Sequence, residues 1–160
     1  MKTNLIDLST RVGSLLTSAN LTISTAESCT GGLLSHVLTG VSGSSAYFTG
    51  GVVAYSNRIK EEILEVRSTT LKENGAVSEE TAMEMAEGVR SRFKTDIGLS
   101  TTGIAGPTGG TPEKPVGLVW VGLSTTERTA AYECHFDADR EEVKLLTVEK
   151  LLQLLIEEIK

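Results

Sequence analysis

Aromatic side chains are scarce: Phe, Trp and Tyr make up 4% of the 160 residues. A surface built to stack nucleic-acid bases has little to work with. Basic charge is short as well, because 15 Lys and Arg face 21 Asp and Glu for a formal net charge of −6. That is the wrong sign for a protein that lives on a phosphate backbone. Cysteine is limited to Cys29 and Cys134, too few for a disulfide framework, which fits a reducing cytoplasm. With His36 and His135 these thiols contain the elements of a metal site, but their spacings match no zinc pattern, and neither metal nor other cofactor is expected. Long apolar runs are missing too. The longest, residues 116–123 with two glycines counted, is far below the roughly 20 residues needed to cross a bilayer. The amino-terminal stretch is amphipathic rather than uniformly apolar, so no signal peptide is read there.

What is present suits one ordinary globular domain over residues 1–160, with 39% hydrophobic residues and 16 glycines. Leu5, Leu8, Val12, Leu15 and Leu16 recur at helical spacing, which predicts a helix over 4–19 closed by Asn20. Residues 21–26 alternate apolar and hydroxyl side chains and read as a strand. A tight turn over 27–32 feeds a short helix through Leu38, followed by a Gly- and Ser-rich loop over 40–45. Strands are predicted at 51–55 and 97–101, helices at 58–64 and, capped by Ser78, at 79–93. Residues 102–112 are too rich in Gly and Pro for either, and a loop of that length in a compact domain is usually functional. A hairpin is predicted from 116–124 and 129–136. A last helix is capped by Asp139, with Glu142 completing a capping box.

This order predicts a three-layer α/β/α sandwich around a mixed, mostly parallel five-stranded sheet. Strands one to three are joined by helical crossovers and should be parallel. Strand four is the expected antiparallel one, and strand five runs with the first three. The segments with unusual chemistry, 27–32, 55–60, 102–110 and 137–140, each follow a parallel strand. They should therefore meet at the carboxyl edge, where open α/β sheets bind ligands.

Ser28 falls where a strand turns toward a helix, with the amides of Cys29, Thr30, Gly31 and Gly32 beside it. Such a turn can hold an oxyanion, or Ser28 or Thr30 can simply cap the helix. Neither histidine is placed to serve as its base, so both read as structural. Lys60 is the better candidate, since burial lowers a lysine pKa, although a solvated lysine is the plainer reading of its charged surroundings. Arg140 opens a helix, against the helix dipole. It fits either a bound phosphate or an ion pair with Asp137 or Glu141. Cys29, next to Ser28, is a rival nucleophile or a small packed residue.

Five separated motifs, Thr25-Ala26-Glu27-Ser28-Cys29-Thr30-Gly31-Gly32, Tyr55-Ser56-Asn57 with Lys60, Gly75-Ala76-Val77-Ser78, Gly103-Ile104-Ala105-Gly106-Pro107 and Lys114-Pro115-Val116-Gly117, resemble in order and spacing the C-terminal domain family of the competence/damage-inducible protein CinA. Stand-alone members of that family are nicotinamide mononucleotide deamidases, which release ammonia and nicotinic acid mononucleotide. The resemblance implies a metal-free serine–lysine amidohydrolase acting in pyridine nucleotide recycling. In it Ser28 is the nucleophile, Lys60 the general base and Tyr55 a hydroxyl that relays or orients the proton. It further implies a substrate-binding set of Glu27, Cys29, Thr30, Gly31, Gly43, Ser44, Thr102, Gly106 and Arg140, with Arg140 at the phosphate. The expected partners are the small-molecule substrate and further copies of the chain, in the cytoplasm, without nucleic acid or membrane. A non-catalytic nucleotide-binding domain of the same descent is the alternative.

Overall fold

The computed structural model describes residues 3–160; the first two residues of the expected domain lie outside it. The strands β1 (Ile23–Glu27), β2 (Phe48–Val53), β3 (Ile97–Gly103), β4 (Leu118–Ser124) and β5 (Thr129–His135) form one sheet in the order β2-β1-β3-β4-β5. β1 pairs parallel with β2 and β3, β3 antiparallel with β4, and β4 antiparallel with β5. The lone reversed strand is therefore β4, as the helix-free connection before it requires.

The helices α1 (Thr3–Ala19), α2 (Leu33–Thr39) and α6 (Arg140–Ile159) pack one face of the sheet into the larger apolar core. The opposite face carries α3 (Asn57–Leu64), α4 (Ser68–Asn74) and α5 (Glu79–Phe93) over a smaller core of Ala26, Leu64, Val66, Met85 and Val89. This is the three-layer arrangement that periodicity predicts. Four helix boundaries follow from local chemistry. Asn20, in the left-handed region at φ 54°, ends α1. Ser56, Ser78 and Asp139 each accept the amide three residues ahead, and so cap α3, α5 and α6. No described helix is long and apolar enough to cross a membrane.

Two differences from the sequence reading are local. β2 begins at Phe48 instead of residue 51, so Gly50 and Gly51 lie inside the strand. A Cβ at Gly51 would approach Thr25 Oγ1 to 2.2 Å, so the strand needs glycine where it meets β1. α4 was not expected at all. Its segment STTLKEN carries no apolar repeat, and its first turn is held from outside, by Glu84 of α5 accepting the Arg67 amide and the Thr70 hydroxyl.

Strand parity sets the site. Along β1, Ile23, Thr25 and Glu27 turn to the α1–α2–α6 layer, with Thr25 meeting Ser35 of α2. Ser24 and Ala26 turn to the other layer, Ser24 reaching the Val89 carbonyl of α5. Alternation carries on one residue past the strand, so Ser28 faces the α3 side.

Candidate active site

Beyond the carboxyl edge lies a cavity of about 270 Å³, walled by Ser28, Tyr55, Lys60, Thr102, Gly106 and Arg140 among others. Each of the four segments expected there contributes at least one wall residue. Ser28 is held by its amide, which donates to the Thr101 carbonyl of β3 at 2.9 Å. Lys60, one turn into α3, is 1% exposed. Its Nζ lies 3.1 Å from Ser28 Oγ, 2.8 Å from the Ala54 carbonyl and 3.4 Å from the Tyr55 carbonyl. Burial pushes this amine below the ordinary lysine range, with nearby Cys29 acting the other way.

The two carbonyls can only accept. A neutral amine in this seat spends its two N–H groups on them, and its lone pair then has one neighbour left, the Ser28 hydroxyl. The geometry thus suits proton removal from Ser28. Cys29 lies beside the pair, but burial pushes its thiol up to about 12, outweighing its own amide and the Thr101 hydroxyl. A thiol that stays protonated is a poor nucleophile.

Glu27 is a correction. Its side chain is fully buried on the α2 side and accepts from the Thr30 hydroxyl, the Gly32, Leu34 and Ser35 amides and the Ser35 hydroxyl, at 2.6–3.1 Å. It closes the amino end of α2 and does not line the cavity. The set of oxyanion donors read from the sequence shrinks accordingly. Gly32 gives its amide to Glu27, and Gly31 gives its amide to the Ser28 carbonyl. Helix α2 starts only at Leu33, and the Cys29 and Thr30 amides are the ones left outside this network.

Of the expected substrate contacts, Cys29, Thr102, Gly106 and Arg140 line the cavity, whereas Glu27, Thr30, Gly31, Gly43 and Ser44 do not. Thr30 is buried, its hydroxyl between Glu27 and Thr101. Gly43 and Ser44 precede β2, and therefore sit at the amino edge of the sheet. There Gly43 lines a separate groove against α1, while Ser44 Oγ donates to the Thr39 carbonyl. Thr102 donates its hydroxyl to the Ala76 carbonyl at 2.6 Å, which pins the segment before α5 to the cavity wall.

Arg140 bridges the cavity mouth. Nη1 donates to the Gly106 carbonyl at 2.8 Å and Nη2 to the Tyr55 hydroxyl at 3.0 Å, rather than to Asp137 or Glu141. The Tyr55 ring is 60% exposed, and its hydroxyl is engaged with Arg140. It is the Tyr55 carbonyl that meets Lys60. Sequence reading missed Asn57, Ala76 and Val77 as wall residues. All three stand in the motifs quoted above but were given no role at the site, and Ala76 and Val77 carry no reactive group to signal them. Both histidines are exposed, His135 beside Glu133, so neither packs in the core. Among the described residues no cluster of three His, Cys, Asp or Glu side chains could hold a metal ion.

Fold and cavity define an α/β domain with a buried serine–lysine pair at the carboxyl edge of a mixed sheet. The chain belongs to the CinA C-terminal domain family, which matches residues 5–159. It is 53% identical over 135 residues to a CinA-like protein of Salinibacter ruber, covering 84% of this chain and 33% of that protein. To a CinA-like protein of Cytophaga hutchinsonii it is 47% identical over 149 residues, 93% of this chain and 36% of the other. The chain thus spans about a third of the length of the curated relatives it matches. The competence/damage inducible protein CihA from Agrobacterium tumefaciens superposes with a TM-score of 0.95 at 40% identity, covering 98% of this chain and 96% of that one. A CinA superfamily protein from Klebsiella pneumoniae gives 0.94 at 34% identity, with 97% of each chain covered.

Proposed function

We propose that this domain is an amidohydrolase that converts nicotinamide mononucleotide to nicotinic acid mononucleotide and ammonia through Ser28 and Lys60. One observation carries the reading: a buried amine whose only non-carbonyl hydrogen-bond neighbour among the described residues is a serine hydroxyl. Neutral Lys60 takes the Ser28 proton as Oγ bonds to the carboxamide carbon. The carbonyl oxygen becomes an oxyanion that the Cys29 amide at the cavity wall would hold, where losing one donor should cost roughly 3 kcal/mol of barrier. The Lys60 ammonium returns its proton to the nitrogen as the C–N bond breaks, and ammonia leaves. Water then attacks the acyl-serine, giving a proton to Lys60; Lys60 returns it to Ser28 Oγ as the ester C–O bond breaks, and the acid product ionises to the carboxylate.

In this scheme Tyr55 acts through its carbonyl on Lys60 and its hydroxyl on Arg140, rather than as a proton relay. Arg140 supplies positive charge that the net −6 of the chain otherwise lacks. We take the domain to work in a reducing cytoplasm, in recycling of pyridine nucleotides, as a homo-oligomer. Ammonia release from the mononucleotide by purified protein tests the reading. Stoichiometric binding without ammonia would replace it with a nucleotide-binding domain.

A further inference from the structure

We infer that Lys144 joins Arg140 in an anion seat that selects a phosphorylated substrate, and that Lys144 is a specificity-determining residue. The inference rests on the amidohydrolase reading above and adds the site that reads the far end of the molecule. Arg140 walls two cavities: the one over Ser28, and a neighbouring one of about 410 Å³ lined by Leu33, Glu141, Lys144 and Leu145. A ligand whose amide lies over Ser28 and whose charged end lies past Arg140 would occupy both.

Lys144 follows Arg140 by one turn of α6, which brings i and i+4 onto one side of a helix. Its Nζ lies beside the turn that carries Ser28, 3.6 Å from where a Cβ on Gly31 would stand. The side chain is half-buried. No hydrogen bond or ion pair joins it to another described residue, in contrast with Lys60 and with Lys114, which donates to the Asn74 carbonyl. An ammonium without a partner in the protein keeps its donors for a bound oxyanion. Arg140 has spent two of its five N–H groups on Gly106 and Tyr55, which leaves donors for an oxyanion as well. A phosphomonoester is close to a dianion near neutral pH, and two adjacent cations match that charge. Glu141 on the same rim opposes an anion, so its carboxylate should weaken the seat.

The test compares kcat/KM for nicotinamide mononucleotide with that for its dephosphorylated nucleoside. Lys144→Met keeps the aliphatic stem and its packing. Its ratio should fall by about tenfold or more, the loss appearing in KM, with Lys144→Arg restoring it and Glu141→Gln raising it. A Lys144→Met ratio within twofold of the parent overturns the inference. Should the protein release no ammonia, the amidohydrolase reading fails separately, and the seat is then judged by calorimetry with the mononucleotide on Ser28→Ala. A dissociation constant about tenfold weaker in Ser28→Ala/Lys144→Met upholds the seat. Equal constants, or no binding to Ser28→Ala, overturn it.

Discussion

Glu27 and Ser28 are neighbours in the chain, both buried, and turned to opposite layers by the alternation of β1. Glu27 meets five donors from the start of α2, so each of its demands is met inside the protein. Ser28 meets an amine that two carbonyls hold and no carboxylate neutralises. A saturated buried group is scaffold, because a ligand has nothing to gain there. A buried amine without a counter-charge carries a cost that folding alone does not explain, and such sites are where chemistry is found. Burial alone does not separate the two residues; the inventory of partners does.

The sharpest way to break this contrast is Ser28→Ala. Ammonia release should fall by at least about 10⁴-fold while the urea midpoint stays near that of the parent. Residual turnover above that level would move the nucleophile elsewhere. Glu27→Ala should do the reverse in kind, destabilising by about 3 kcal/mol or more in urea denaturation, because it strands three amides and two hydroxyls. Glu27→Gln, which keeps an acceptor oxygen, should lose less. A Glu27→Ala protein as stable as its parent would end the description of this carboxylate as scaffold.

The lysine can be probed by pH. Turnover needs the neutral amine and burial lowers its pKa, so kcat/KM should rise about tenfold per pH unit and level off below the usual lysine value of about 10.4. A plateau reached only near that value would show an ordinary, solvated lysine. The smallest effect is expected at the adjoining thiol. Cys29→Ala should keep kcat/KM within about threefold, and iodoacetamide should inactivate the parent slowly, because a thiol with a pKa near 12 is almost never ionised. Rapid inactivation, lost in Cys29→Ala, would reverse the roles of the two neighbours.

Strong periodicity made α1, α5 and α6 readable from residue types alone, and the missing crossover before β4 made its direction readable. The convergence of Ser28 with Lys60 followed from counting which segments trail parallel strands. α4 was invisible because its anchor, Glu84, comes from another helix. The place of Glu27 was hidden for a related reason. Strand parity turns its side chain toward α2, and the donors that satisfy it lie up to eight residues away. Gly43 and Ser44 illustrate the converse, small flexible residues whose place at the opposite edge depends on the path of α2. The Arg140–Tyr55 link joins residues 85 positions apart. No local pattern announces it.

Two of the three atoms that seat Lys60 Nζ are main-chain oxygens, those of Ala54 and Tyr55. Codon changes at those positions can alter what projects from the chain yet leave both oxygens standing, provided the backbone keeps its course. The Lys60 amine is therefore insulated from most mutational drift around it. In distant descendants the pair itself comes down to two letters, a serine at one locus and a lysine at the other.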